Sequence, residues 1–146
     1  MNRTIATLLF LFSTVAVARP LITAEKQNGY EPKPETRLLT LHDNGRMVLE
    51  VHQIESGQTQ RTLLSRFSPA AMSKFRDLVR GISEADKLID LQPDLPLCAD
   101  AASISISVRL SSGPKVIHNW ASCHEFELTS GKDREVSQMM RYFLFL

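Results

Sequence analysis

The sequence predicts an α+β fold: a two-layer domain whose antiparallel β-sheet, a three-stranded meander plus a β-hairpin, carries two helices packed on one face. Three observations lead there. "RLLTLH", "DNGR" and "MVLEVHQI" place two strand-like runs around Asn44 and Gly45, the pair best suited to the positive φ of a tight hairpin turn. "SISISVRL" alternates without a break, with Ile104, Ile106, Val108 and Leu110 on one face and Ser105, Ser107 and Arg109 on the other. The apolar period then lengthens to that of a helix in "SPAAMSKFRDLVRG" and again in the terminal "DREVSQMMRYFLFL".

Taken in order, the chain opens on "MNRTIATLLFLFSTVAVARP", where Arg3 precedes an apolar run and Ala16 and Ala18 stand as small residues ahead of a cut. This is the three-part pattern of a secretory signal peptide, assigned to residues 1–18, with a second possible cut after Ala24. The uncharged stretch Thr4–Ala18 holds 15 residues, short of the roughly 20 needed to span a bilayer, so no transmembrane segment is expected in the mature chain. Residues 19–36, "RPLITAEKQNGYEPKPET", show no sustained period and read as a flexible lead. Residues 37–146 then form one domain, of a length that can bury a core.

Within that domain "TQRTLLSRF" follows the turn-like "ESGQ" and completes the meander. The first helix, over 69–81, has Ser68 as cap, Pro69 in the first turn and Gly81 at its end. It presents Met72, Phe75, Leu78, Val79 and Ile82 as an apolar stripe and Lys74, Arg76, Asp77 and Arg80 off it. Between Ser83 and Ala102 the prolines and acids suggest a partly helical turn and a long connection. "SSGP" turns the next strand into "KVIHNW". A four-residue loop would set Leu110 opposite Lys115 and put Val116, His118 and Trp120 on the serine face; a three-residue loop with a left-handed Gly113 would set those three opposite Val108, Ile106 and Ile104. The second is favoured because it buries Trp120, and it leaves His118 in need of a partner. The second helix, over 133–145, takes Thr129 or Ser130 as cap and offers Val136, Met139, Met140, Phe143 and Leu146 to the core.

Charge narrows the range of partners. Removing Arg3 with the signal leaves 16 bases against 16 acids, which provides no general attraction to nucleic acid or anionic membrane. The cysteines narrow the chemistry further. Cys98 precedes the alternating strand and Cys123 follows its partner, so the antiparallel turn brings them together. In an exported chain this reads as a disulfide, closing a 26-residue segment and contributing about 3.5 kcal/mol through chain entropy.

The alternative is a metal-binding or thiol-dependent protein using Cys98, His118, Cys123 and His124. Against it, there is no C-x-x-C or H-x-x-x-H pair, and in a regular strand His118 and Cys123 fall on opposite faces. His42 and His52 lie on the first hairpin, and Asp94, Asp100, Glu125 and Glu127 could flank the second; neither set amounts to a catalytic arrangement. No phosphate loop, G-x-S-x-G or calcium-loop pattern is present, and no cofactor is expected.

The order of three strands, helix, hairpin and helix across Arg37–Leu146 resembles the emfourin type of small inhibitor domains, blockers of thermolysin-like metalloproteases. The resemblance implies a binding or inhibitor role and carries over no residue. The expected function is therefore an exported, non-enzymatic, disulfide-stabilised binding or inhibitor-like protein. Its ligand would be a protein or small molecule, and its open sheet face would carry Glu50, His52, Arg61, Ser105, Ser107 and Arg109.

Overall fold

The computed structural model describes residues 18–27, 34–99 and 102–146. Eight strands and two helices follow one another: β1 (Pro20–Gln27), β2 (Glu35–His42), β3 (Arg46–Gln53), β4 (Thr59–Arg66), α1 (Pro69–Arg80), β5 (Leu88–Asp90), β6 (Ser103–Leu110), β7 (Gly113–Ala121), β8 (His124–Leu128) and α2 (Arg134–Leu144). The strands make a single antiparallel sheet in the spatial order β4-β3-β2-β1-β6-β7-β8-β5. No helix among the described residues is long and apolar enough to cross a membrane.

Register explains where the core sits. Ile22 lies opposite both Leu41 and Val108, and Ala24 opposite both Leu39 and Ile106, while Leu41 and Leu39 face Met47 and Leu49 in turn. Directly opposed residues share a face, so these rows form one apolar surface, and all of them are buried. Met72 and Val79 of α1 and Val136, Met140 and Leu144 of α2 close the same cluster. The Ser68 hydroxyl accepts from Ala71 N at 3.2 Å, capping α1 as its sequence indicates. On the opposite face a row runs Arg61, Glu50, Leu38, Glu25, Ser105 and Asn119, and here Arg61 and Glu50 pair at 3.0 Å.

The sheet is larger than the expected five strands. Residues 19–36 are not a lead throughout, because Pro20–Gln27 is a strand with neighbours on both sides. Its apolar alternation is two residues long, Ile22 and Ala24, before Lys26 breaks it; ladder bonds to β2 and β6 supply what the side chains do not. Residues 28–33 of that segment, and residues 1–17 of the expected signal peptide, lie outside the described residues. The connection 83–102 contains the edge strand β5, and a further strand, β8, follows the second hairpin.

The second hairpin keeps part of its expected register. Ile104 and Ile106 face Trp120 and His118, but a bulge at Ile117 shifts the rest, so Val116 faces Ser107 and is exposed. In α2 the cap is Asp133 rather than Thr129 or Ser130, and Leu144, not Leu146, is the last buried residue. This helix end is held by Arg37, whose Nη1 donates to Leu144 O at 3.2 Å.

Candidate functional site

Two features meet at the β5–β8 end of the sheet, a stapled apolar loop and a buried polar cluster behind it. The loop runs from Leu91 to Leu97 between β5 and Cys98. Its entry is tied to β8, with Leu91 N donating to Glu125 O at 2.9 Å and Glu125 N to the Gln92 side chain at 3.1 Å. Its middle is a turn closed by Leu95 N to Gln92 O at 3.0 Å, with Pro93 presetting the second position. Its exit is fixed by the Cys98–Cys123 disulfide, with Cα atoms 5.5 Å apart, and by Cys98 N donating to Ser122 O at 3.0 Å.

The far end of the staple is itself unusual. β7 turns into β8 through Ser122 and Cys123, whose φ angles of 52° and 67° are the positive values a two-residue hairpin turn demands. Glycine and asparagine normally take those positions, and a β-carbon there costs about 1–2 kcal/mol per residue. The disulfide and the Cys98 bond hold the turn, and the turn in turn orients the loop. Leu95 and Leu97 are left 51% and 76% exposed on this anchored segment. With Leu88, Ile89 and Leu91 also exposed, most of the large apolar side chains in "LIDLQPDLPL" face solvent.

Behind the loop, a cavity of about 250 Å³ is lined by Leu91, His118, Glu125, Glu127, Ser137 and Arg141, among others. His118 is buried, with Nε2 3.3 Å from Glu125 Oε1 and Nδ1 3.5 Å from Asp133 Oδ2. Neither nitrogen makes a hydrogen bond of normal geometry, so we read both as electrostatic contacts. Asp133 is fully buried beneath the α2 N-terminus, where its Oδ1 accepts from Leu128 N at 3.2 Å. Burial pushes its carboxyl above the usual aspartate range, and the nearby charge of Glu127 adds to this. Glu127 is held below the usual glutamate range by Arg134, whose Nε and Nη2 grip it at 3.1 and 2.6 Å. Glu125 is shared between His118 and Arg141. Each carboxylate in the cluster is thus committed to a partner, and the cluster fastens α2 to β7 and β8.

The remaining site candidates separate. His124 Nδ1 donates to Asp90 Oδ2 at 2.6 Å, and the Gln92 N–H, followed by His124, keeps the Asp90 carboxyl low. Since His118 pairs with Glu127 and His124 with Ala121, three residues apart on each strand, the two histidines occupy opposite faces of the sheet. Both cysteine sulfurs are consumed by the disulfide. Cys98, His118, Cys123 and His124 therefore do not converge, and no group of three or more metal-ligating side chains occurs among the described residues. His42 stands at the turn end of its hairpin and His52 at the open end, bonded to Thr59 at 3.0 Å. Asp94 is exposed in the loop, and Asp100 lies outside the described residues. Glu50, Ser105 and Ser107 are half-buried on the open face, with His52, Arg61 and Arg109 exposed there.

The connection is legible in the sequence as a long loop, and its apolar exposure also carries a signal there: five large apolar residues in ten that fit neither helix nor strand period, punctuated by Pro93 and Pro96. No family model matches the chain, and no curated protein or solved structure shows significant similarity to it.

Proposed function

We propose that the protein is an exported, non-enzymatic binding module of inhibitor-like type, and that the loop 91–97 is its contact element. Export is supported by the signal-type N-terminus and by a disulfide, a bond kept in oxidising compartments. The observation that carries the binding reading is the exposure of Leu95 and Leu97 on a segment anchored at both ends. Exposed apolar side chains on a rigid mount mark interaction sites, because the partner gains burial without the cost of ordering the loop. The helices and sheet around His118 act as the mount.

A protein with an apolar pocket is the partner this surface suits. The resemblance to emfourin-type domains makes a thermolysin-like metalloprotease the first partner to test. Titrating such a protease with the purified protein should reduce its activity, and Leu95→Asp with Leu97→Asp should weaken binding by about thirtyfold per residue, the scale of a central anchor residue. Equal binding by the wild-type and double-aspartate proteins would remove the loop from the function.

A further inference from the structure

The structure assigns Asp43 as the receptor for the α-ammonium group of a chain beginning at Arg19, and with it the Ala18–Arg19 bond as the site of proteolytic processing. This rests on the export reading above. Arg19 N lies 3.1 Å from Asp43 Oδ1, and Asp43 N donates back to Arg19 O at 2.9 Å, so the β2–β3 turn clasps this residue from both sides. The clasp is at the very start of β1, where Pro20 stands opposite His42.

The two possible cuts differ sharply in consequence. A cut after Ala24 would remove Ile22 and Ala24, both fully buried in the centre of the sheet between β2 and β6. A cut after Ala18 leaves the whole of β1 in place. In that hydrolysis water adds hydroxyl to the Ala18 carbonyl carbon and a proton to the Arg19 nitrogen, releasing a carboxylate and an amine. The catalyst would be an export-linked peptidase that accepts small residues before the cut.

The cut also changes what Asp43 holds. Before it, Arg19 N is a neutral amide donor; afterwards it is an amine with an ordinary pKa of about 7.7–8.0, cationic at neutral pH. A plain hydrogen bond becomes a charge-assisted pair. The charged and titratable groups near it include Asp43 itself, the Arg19 guanidinium, His42 across the ladder, Arg109, which lines a shallow pocket with Pro20, and Arg76, whose Nη2 donates to Asp43 O at 2.7 Å.

The test uses the full chain, expressed in a host that exports it, with the recovered product identified by intact mass and N-terminal sequencing. Its α-amine is then acetylated near neutral pH, where lysines remain protonated, and folding equilibria are measured for wild type and Asp43→Asn, each with free and acetylated terminus. Asparagine retains the acceptor oxygen and removes only the charge. The expected product starts at Arg19, and Asp43→Asn should lower the folding constant two- to fivefold more in the free than in the acetylated form, about the range of an exposed ion pair. A product starting at Met1 overturns the export reading together with this one. A product starting at Glu25 leaves export standing and overturns the assignment, and a product starting at Arg19 with equal effects in both forms overturns the pairing.

Discussion

Replacing Cys98 and Cys123 by serine tests the staple and the loop it mounts. The bond spans a sequence separation of 25, and the chain-entropy relation for a loop of that length gives a loss of about 3.5 kcal/mol. Domains of ordinary size have about 5–15 kcal/mol to lose, so the variant should still fold. Urea denaturation, at a slope of about 2 kcal/mol/M, should show the midpoint falling by about 1.7 M. The damage should also be local before it is global. Leu91 N and Glu125 N are bonded across the loop's entry and Cys98 N across its exit, and in the variant hydrogen exchange at the backbone amide of position 98 should accelerate first.

The turn supplies a second arm to the same experiment. Ser122→Gly relieves a left-handed strain of about 1–2 kcal/mol against an entropic cost of about 0.5–1 kcal/mol for glycine. A net gain of about 0–1.5 kcal/mol is expected from that difference with the disulfide present. A cysteine-free variant within about 1 kcal/mol of wild type, with exchange of the backbone amide at position 98 unchanged, would refute the view that the bond constrains both chain and loop.

Other perturbations probe the rest of the frame. Gly45→Ala meets both a φ of +85° and a β-carbon 2.7 Å from Phe67 O, whereas Gly57→Ala meets only a φ of +65° in open space. Denaturation should show the first costing clearly more than the second, whose loss should be about 1–2 kcal/mol; equal losses would mean the turn shifts freely. Arg134→Ala should release the Glu127 carboxyl from its lowered state. A depressed acid stabilises above its unfolded pKa and is lost as pH falls, so wild type should weaken on acidification below the ordinary 4.5 and the variant less so, read as midpoint against pH. Asp133 runs the other way, since a raised carboxyl makes the fold weaker as pH climbs past the ordinary 3.8. Asp133→Asn keeps an acceptor for Leu128 N and should gain stability at pH 7 relative to wild type while changing little at low pH; a loss at pH 7 would show that the His118 contact outweighs burial.

Which elements could be read from the sequence follows from where their determinants lie. β2, β3, β4, β6 and β7 carry their own alternation or their own turn, and Ser68, Pro69 and the stripe from Met72 to Ile82 mark α1 locally. β1, β5 and β8 do not. β1 is a strand because its ladder groups are satisfied on both sides, and its small Ala24 and terminal Lys26 blur the pattern. β8 begins after a turn made by Ser122 and Cys123, residues that avoid positive φ unless something distant holds them. That distant holder is Cys98; the disulfide is legible from two cysteines flanking one hairpin, whereas the turn and β8 that depend on it are not.

The same reasoning separates what His118 does from what it suggested. Its place opposite Ile106 and its burial follow from the alternation of β6 and β7. Its partners do not, because Asp133 comes from a helix cap fifteen residues on and Glu125 from the unforeseen β8. A histidine beside two cysteines suggests a metal in one dimension; in three, the sulfurs bond each other, the second histidine is on the far face, and carboxylates surround the first. The chemistry-bearing residues thus form the mount, and Leu95 and Leu97 are left facing solvent on it, beside the likewise exposed Leu88, Ile89 and Leu91.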